Sequence, residues 1–331
     1  MKSRDRNGDK AKFAGAGDET VGNGWRFRRS GGLTILECVP LARLDWIVHG
    51  FSTRGGRISS LLASREEEKS ARLLNLGFTD WDARKNVMEN RVRWLKALNA
   101  EDFTLRPLRQ VHSDAIELVG GADSSPSRPV SPGSVRSGDG MISNQPGLLL
   151  SVQTADCLPI LLVDSKQRSI AAIHAGWRGT LQRIAMKAVG KMRMEFGTRP
   201  ENVVAAVGPG IGPCCYEVGY EVAREFDSQF ADAALWFDEK FERLAGDEEP
   251  NPLPWLTMAP PGHPLPPPRT SLNLAAANRS ILIRAGLRAQ YIFLCGLCTS
   301  CRGDLFFSYR KEKTTGRLLN SVGMRPTSSS S

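Results

Sequence analysis

The 331-residue sequence predicts one large domain of mixed α/β class. Three observations carry that expectation. Strand-like and helix-like segments alternate irregularly along the chain, with no internal repeat. Segments such as Leu158–Val163 and Ile170–His174 are continuously apolar, as in strands buried on both faces. The Pro-dense stretch 245–268 does not separate two self-sufficient halves, so it reads as a surface excursion.

The elements follow in order. Residues 1–31 are polar, Gly-rich and basic, and read as a disordered tail. The domain then runs over 32–324, and 325–331 form a Ser-rich tail. Leu33–Leu36 and Ile47–Phe51 have the composition of short strands. Residues 52–72 form a polar loop with a charged run at Arg65–Lys69. Asp80 is placed to cap a helix over Trp81–Leu98, where Val87, Val92, Trp94, Leu95 and Leu98 approximate helical spacing. Gln110–His112 reads as the end of a strand that Ala115–Val119 continues, and 120–138 as a Gly/Ser/Pro-rich insertion. Strands are expected at Gly147–Gln153, Leu158–Val163, Ile170–His174, Val203–Val207 and Gln290–Leu294. Helices are expected over about 180–196, Glu217–Phe230 and Leu272–Gly286.

Composition excludes several classes. A 41% hydrophobic fraction supplies a core and rules out a mostly disordered chain. No apolar run approaches the ~18–20 residues of a membrane-spanning helix. The start, Met-Lys-Ser-Arg-Asp-Arg, has no apolar stretch of the kind that directs export, so a cytoplasmic protein is expected. The formal net charge is +9, of which residues 1–35 supply +4. The remainder is scattered, without a basic helix. That argues against a nucleic-acid partner and suits an anionic small substrate such as phosphate. Seven cysteines, an odd number, point away from a disulfide framework.

Only four histidines are present: His49, His112, His174 and His263. Two of them lie in segments that place a metal-ligand type at a strand end beside small or polar neighbours. The three such segments are Gln110–Asp114, Thr154–Pro159 and Ala172–Gly179, carrying His112, Cys157 and His174. Two imidazoles and one thiolate form a borderline-soft set that suits Zn²⁺, with Cu²⁺ second. Three protein ligands leave one tetrahedral position open, the mark of a catalytic zinc. Asp114 or Asp156 is then placed to orient an imidazole or pass a proton. Spacing alone leaves the other reading open, in which each histidine is a satisfied core residue and Cys157 merely packs.

The segments resemble those of the laccase-domain (YfiH-like) family, also labelled multicopper polyphenol oxidase or purine nucleoside phosphorylase. Phe51–Gly56, Leu74–Gly77, Asn86–Arg91, Gln110–His112 and Asp139-Gly140 are similar to its characteristic stretches. So are Thr154–Pro159, His174–Gly179, Gly208–Val218, Phe307–Arg310 and Thr314–Arg317. The resemblance covers roughly residues 33–324.

It implies a single α/β domain with mixed sheets sandwiched between helix layers, and one zinc held by His112, Cys157 and His174. It implies activity on purine nucleosides: phosphorolysis of adenosine, inosine or methylthioadenosine, and deamination of adenosine. On that reading Cys157, His112, His174 and Asp156 are the catalytic candidates. Arg54, Asn75, Gln110 and Arg178 are the substrate-binding ones, with Arg54 and Arg178 holding phosphate. A monomer is expected. Between Gly56 and Leu74 the chain carries a charged insertion and departs from the family pattern, which bears on substrate preference.

Other residues compete for attention. Cys295, Cys298 and Cys301 have ferredoxin-like spacing, pointing to an iron–sulfur cluster or a second zinc. A fourth ligand at suitable spacing is missing, and Cys295 continues an apolar strand. Cys214-Cys215 reads as packing near the site entrance. His49 reads as strand core and His263 as surface loop. Three rival functions stand beside phosphorolysis: a copper oxidase, which four histidines serve poorly, an amidase editing peptidoglycan precursors with Cys157 as nucleophile and His112 or His174 as base, and, weakest, a metal-dependent binding protein without turnover.

Overall fold

The computed structural model describes residues 19–22, 24–55, 73–120, 136–238 and 269–326. Expectations for residues 1–18, the charged run at 65–69, most of the 120–138 insertion, the 245–268 excursion with His263, and residues 327–331 lie outside the described residues.

Two large sheets dominate. One has β1 (Glu19–Thr20), β2 (Trp25–Ser30), β3 (Leu33–Cys38), β4 (Ile47–Ser52), β15 (Leu318–Met324), β8 (Leu148–Thr154) and β5 (Thr104–Arg106), in that spatial order. The other runs β14 (Ile292–Leu294), β11 (Val203–Val207), β9 (Leu158–Asp164), β10 (Ser169–Ala175), β7 (Gly140–Ser143) and β6 (Ile116–Leu118). Both mix antiparallel with parallel pairing: β5 joins β8, β6 joins β7 and β14 joins β11 in parallel. A short ribbon pairs β12 (Glu217–Gly219) with β13 (Arg269–Ser271). The helices are α1 (Val39–Ala42), α2 (Arg84–Ala97), α3 (Trp177–Leu181), α4 (Ile184–Phe196), α5 (Tyr220–Gln229), α6 (Leu274–Arg284) and α7 (Tyr309–Glu312).

The layering follows from strand alternation. Along β9, Leu161 and Val163 face the other sheet and pack with Phe27, Phe51, Val152 and Val322. Ile160 and Leu162 face the opposite way, against Ile184, Ala188 and Met192 of α4 and Ile281 of α6. On the outer face of the first sheet, Ile35, Val48, Leu149 and Leu319 pack with Trp94, Ala97 and Leu98. The order is therefore helix, sheet, sheet, helix, as expected for a mixed α/β domain. Full burial of each Leu or Ile contributes about 1.5–3 kcal/mol relative to exposure.

Several boundaries differ from the sequence expectation. Residues 25–30, assigned to the tail, form β2: Trp25 and Phe27 alternate inward, while Arg26 and Arg28 clasp Glu37 at 3.0 and 2.6 Å. The central strand β15 is an addition to the expected set. Helix α2 starts at Arg84 rather than Trp81, and Ala83 makes no side-chain cap. Asp80 is not its cap, and Val92 is 62% exposed. Gln110–His112 is not strand, because the N–H groups of Val111, His112 and Ser113 turn onto the Asp139 carboxylate. The single helix expected over 180–196 breaks at Arg183, whose φ of +58° cannot continue a right-handed helix. Glu217–Gly219, expected as helix, pairs with Arg269–Ser271 instead.

Candidate metal and substrate site

The open end of the β9–β10 hairpin builds the site. Leu158 pairs with Ala175 and Pro159 with His174, so Cys157, one residue before β9, arrives beside His174. His112 comes from the loop between β5 and β6, with φ of +59°. The ligand atoms of His112, Cys157 and His174 all lie within 4.8 Å of one another. Cys157 Sγ is 4.0 Å from His112 Nε2, and the two imidazoles meet edge-on with centroids 4.9 Å apart. A tetrahedral zinc with bonds of about 2.0–2.3 Å sets its N and S ligands roughly 3.3–3.8 Å apart, so this trio fits one ion. Gly176 is required at this point, since a Cβ there would lie 2.9 Å from Cys157 Sγ.

Asp139 holds the arrangement. It is fully buried, and its Oδ1 accepts from His174 Nδ1 at 2.8 Å and from the His112 N–H at 3.0 Å. Its Oδ2 accepts from the N–H of Val111 and from the N–H and hydroxyl of Ser113. The Nδ1–H of His174 is thus spent on a carboxylate, which leaves Nε2 as the ring nitrogen that would bind a metal on giving up its proton. Burial opposes ionisation of Asp139, but the bonds from His174 and Ser113 outweigh it and hold the carboxyl at about 2. In the same way burial disfavours the Cys157 thiolate, yet His174 and the hydrogen bond from His112 pull the thiol down to about 6. The thiolate and Asp139 in turn push His174 up against its burial.

The other sequence candidates divide. Arg178, exposed at the start of α3, stacks over Trp177 at 4.4 Å. Asp156 precedes Cys157, but both its oxygens are engaged: Oδ1 accepts from Thr299 Oγ1 and Oδ2 from the Arg310 N–H, each at 2.7 Å. Its φ of +96° belongs to the same tight turn. Gln110 exchanges two hydrogen bonds with the Gln153 backbone, at 2.8 and 2.7 Å, and pins the His112 loop to β8. Arg54 pairs with Glu312, donates to the Gly303 carbonyl at 2.8 Å and lies over Phe307. Asn75 is fully buried among Thr79, Asp82, Gly77 and Arg317. Asp114, expected to orient an imidazole, pairs with Lys187. Asp139 takes that part instead.

Two further residues of the site carry no signal of their own in the sequence. The Arg310 guanidinium lies 5.2 Å over the Tyr216 ring and donates to the Glu217 carbonyl. Burial first, and then the Cys157 thiolate, raise the Tyr216 phenol well above its ordinary range, while Arg310 and Arg178 act in the opposite sense. Tyr216 thus stays protonated within electrostatic reach of Cys157, Asp156, Arg178 and Arg310. Both sit in segments that carry the family resemblance, Gly208–Val218 and Phe307–Arg310, and that resemblance is the signal that points to them.

Known proteins resemble the whole domain. A purine nucleoside phosphorylase of Deinococcus radiodurans is 36% identical over 88% of this chain and 94% of its own. The purine nucleoside phosphorylase YlmD of Geobacillus stearothermophilus is 31% identical over 85% of this chain and 94% of its own. The crystal structure of the latter species' YlmD superposes with a TM-score of 0.67 at 29% identity, covering 91% of this chain and 99% of that one. The Bacillus licheniformis hypothetical protein YfiH superposes with a TM-score of 0.70 at 25% identity, covering 90% and 99%. Residues 48–325 match the sequence profile of the family described as multi-copper polyphenol oxidoreductase laccase, and the chain belongs to that family.

Proposed function

We propose that this chain is a zinc-dependent purine nucleoside phosphorylase that also deaminates adenosine. The observation that carries the reading is the His112–Cys157–His174 cluster, with His174 fixed by Asp139 and with Cys157, Arg178 and Arg310 all within electrostatic reach of Tyr216. The names of the relatives support purine nucleosides and phosphate as the substrate class, and within that class adenosine, inosine and methylthioadenosine are the proposed substrates.

Zinc held by His112, Cys157 and His174 would supply Lewis acidity at a position open to substrate. The remaining work falls to side chains. In phosphorolysis an oxygen of phosphate attacks C1′ as the C1′–N9 bond breaks, and the departing purine takes a proton. Arg178 and Arg310 are the guanidinium groups assigned to phosphate in this reading, in place of Arg54, which pairs with the Glu312 carboxylate. Tyr216, held protonated, serves as a hydrogen-bond donor to the base or the phosphate. Asp156 acts as a positioning residue, joining the Cys157 turn to Thr299 and Arg310.

The deciding experiment measures metal content and phosphate-dependent release of base from adenosine by purified protein, in wild type and Cys157→Ala. About one zinc at this site and base release that needs phosphate, both lost in the variant, support the reading. A fully zinc-loaded protein inert toward nucleosides overturns it.

One observation favours a second reading. Without metal, Cys157 is a low-pKa thiol beside two imidazoles, the arrangement of a cysteine nucleophile with its base. An amidase acting on peptidoglycan precursors would keep its activity after chelation, whereas the phosphorylase would lose it. A copper-dependent polyphenol oxidase is less well served: His49 is buried with Nε2 accepting from the Cys38 N–H, and so is spent outside this cluster. A monomeric cytoplasmic enzyme remains part of the proposal. Among the described residues no helix is long and apolar enough to cross a membrane.

A further inference from the structure

We propose that Cys214, Cys215, Cys298 and Cys301 form a second, structural zinc site, distinct from the His112–Cys157–His174 centre. Cys298 and Cys301 supply half of a four-sulfur set, and the sequence adds only Cys295 nearby, with no fourth ligand at suitable spacing. The fold supplies it from the loop after β11, where Cys214 and Cys215 approach the loop after β14. The four sulfur atoms lie within 4.8 Å of one another. Cys301 Sγ is 3.5 Å from both Cys214 Sγ and Cys215 Sγ.

The geometry selects a single ion. Four thiolates around one zinc at about 2.3 Å stand roughly 3.8 Å apart, close to the separations found. An iron–sulfur cluster spreads its thiolates over several irons and needs a wider cage. The donor set is all sulfur, the composition of closed structural zinc sites, with no position left for substrate. Cys298 Sγ accepts backbone N–H bonds from Gly212, at 3.2 Å, and from Cys301, donors of the kind that stabilise a metal-bound thiolate. All four cysteines are free of disulfides. Cys295, the third member of the sequence motif, is instead buried in the core between the sheets.

The position gives the ion a purpose. Between two of the ligands, Thr299 donates its N–H to the Gly210 carbonyl at 3.0 Å and its hydroxyl to Asp156 at 2.7 Å. Gly210 and Ile211 lie on the loop bearing Cys214 and Cys215, and the Ile211 N–H donates to the Asp156 carbonyl at 2.7 Å. An ion joining these loops therefore braces the turn that carries Cys157. The inference stands on the cysteine geometry and does not depend on the nucleoside reading.

The test is elemental analysis of the purified full-length chain grown with zinc, for wild type, Cys157→Ala and the double variant Cys298→Ser/Cys301→Ser. The expected result is a second equivalent of zinc in wild type, with one equivalent kept by each variant. Wild type with one equivalent, and none in Cys157→Ala, overturns the proposal. Should the double variant not fold, Cys157→Ala decides alone. Its zinc is exchanged for Co²⁺, and strong thiolate-to-cobalt charge-transfer absorption is expected; its absence overturns the site. Thiol titration of the denatured, unreduced chain should find all seven cysteines of the wild type free, and a loss of two through a Cys214–Cys301 bond would equally overturn it.

Discussion

Asp139 Oδ1 and His174 Nδ1 are 2.8 Å apart, and the same carboxylate gathers the N–H groups of Val111, His112 and Ser113. One buried side chain thus fixes the tautomer of one presumed ligand and the backbone of another. Replacing Asp139 by Asn puts an amide NH₂ where several donors converge. Loss of such a supporting carboxylate typically lowers metal affinity by about 10–100-fold. Competition with a chromogenic chelator should find Asp139→Asn in that range. Affinity equal to wild type would remove Asp139 from this role.

Metal-free protein should carry an unusually reactive Cys157. An ordinary thiol titrates near 9.0, and this one is held at about 6. A lowered thiol pKa means the thiolate is already the main form at neutral pH and is lost as pH falls through about 6. Alkylation of Cys157 in chelated protein, followed by peptide mass spectrometry, should show a rate midpoint near that pH. A midpoint near that of Cys in an unfolded peptide would show that His174 and His112 do not pair with it. Zinc should abolish the reaction, because the sulfur is then coordinated.

The three ligand candidates are marked in the sequence by residue type and, for Cys157 and His174, by placement at strand ends, but only the family resemblance joins them into one site, and His112 comes from a loop rather than a strand. Asp139 stands in a stretch that carries the resemblance, but its role is not legible there: it depends on β7 lying beside β10, a tertiary pairing that puts residues 27 and 35 positions away against one carboxylate. Arg54, Asn75 and Gln110 have intramolecular contacts that the sequence does not announce. Polar side chains in motif-like segments suggest substrate contacts, and the fold gives each of these a bond to backbone or a paired charge. Strand β2 is hidden because its Arg residues make an alternating strand look like a basic tail. The strands β9 and β10 are plain, since a short, continuous apolar run rich in branched residues and bounded by polar turns fits a buried strand.

The two arginine classes should separate kinetically. Arg178 and Arg310 are the proposed phosphate holders, and a charge-assisted hydrogen bond contributes about 1.5–3 kcal/mol, or roughly 10–100-fold. Arg178→Ala should therefore raise the phosphate KM by at least about tenfold. Arg54→Ala removes the partner of Glu312 and two carbonyl contacts, so it should lower Tm and leave the phosphate KM near wild type at permissive temperature. Phosphate KM values that rise for Arg54→Ala alone would reverse the assignment.

Asn75 gives the sharpest contrast between a binding role and a structural one. It is fully buried, its Nδ2 donates to Asp82 at 2.8 Å, and its Oδ1 accepts the N–H of Arg317 at 2.9 Å and of Gly77 at 3.2 Å. Asn75→Ala leaves the N–H groups of Gly77 and Arg317 without their acceptor, while Asp82 keeps its bond from Asn86, and each unsatisfied buried group costs about 1–3 kcal/mol. The expected outcome is a loss of about 2–4 kcal/mol in urea unfolding, part of the strain being relieved by water. Asn75→Asp should be destabilised as well, because its carboxylate would face that of Asp82. Metal content and nucleoside KM should stay at wild-type values in whatever fraction remains folded. A stable Asn75→Ala protein with a raised nucleoside KM would instead return Asn75 to the substrate.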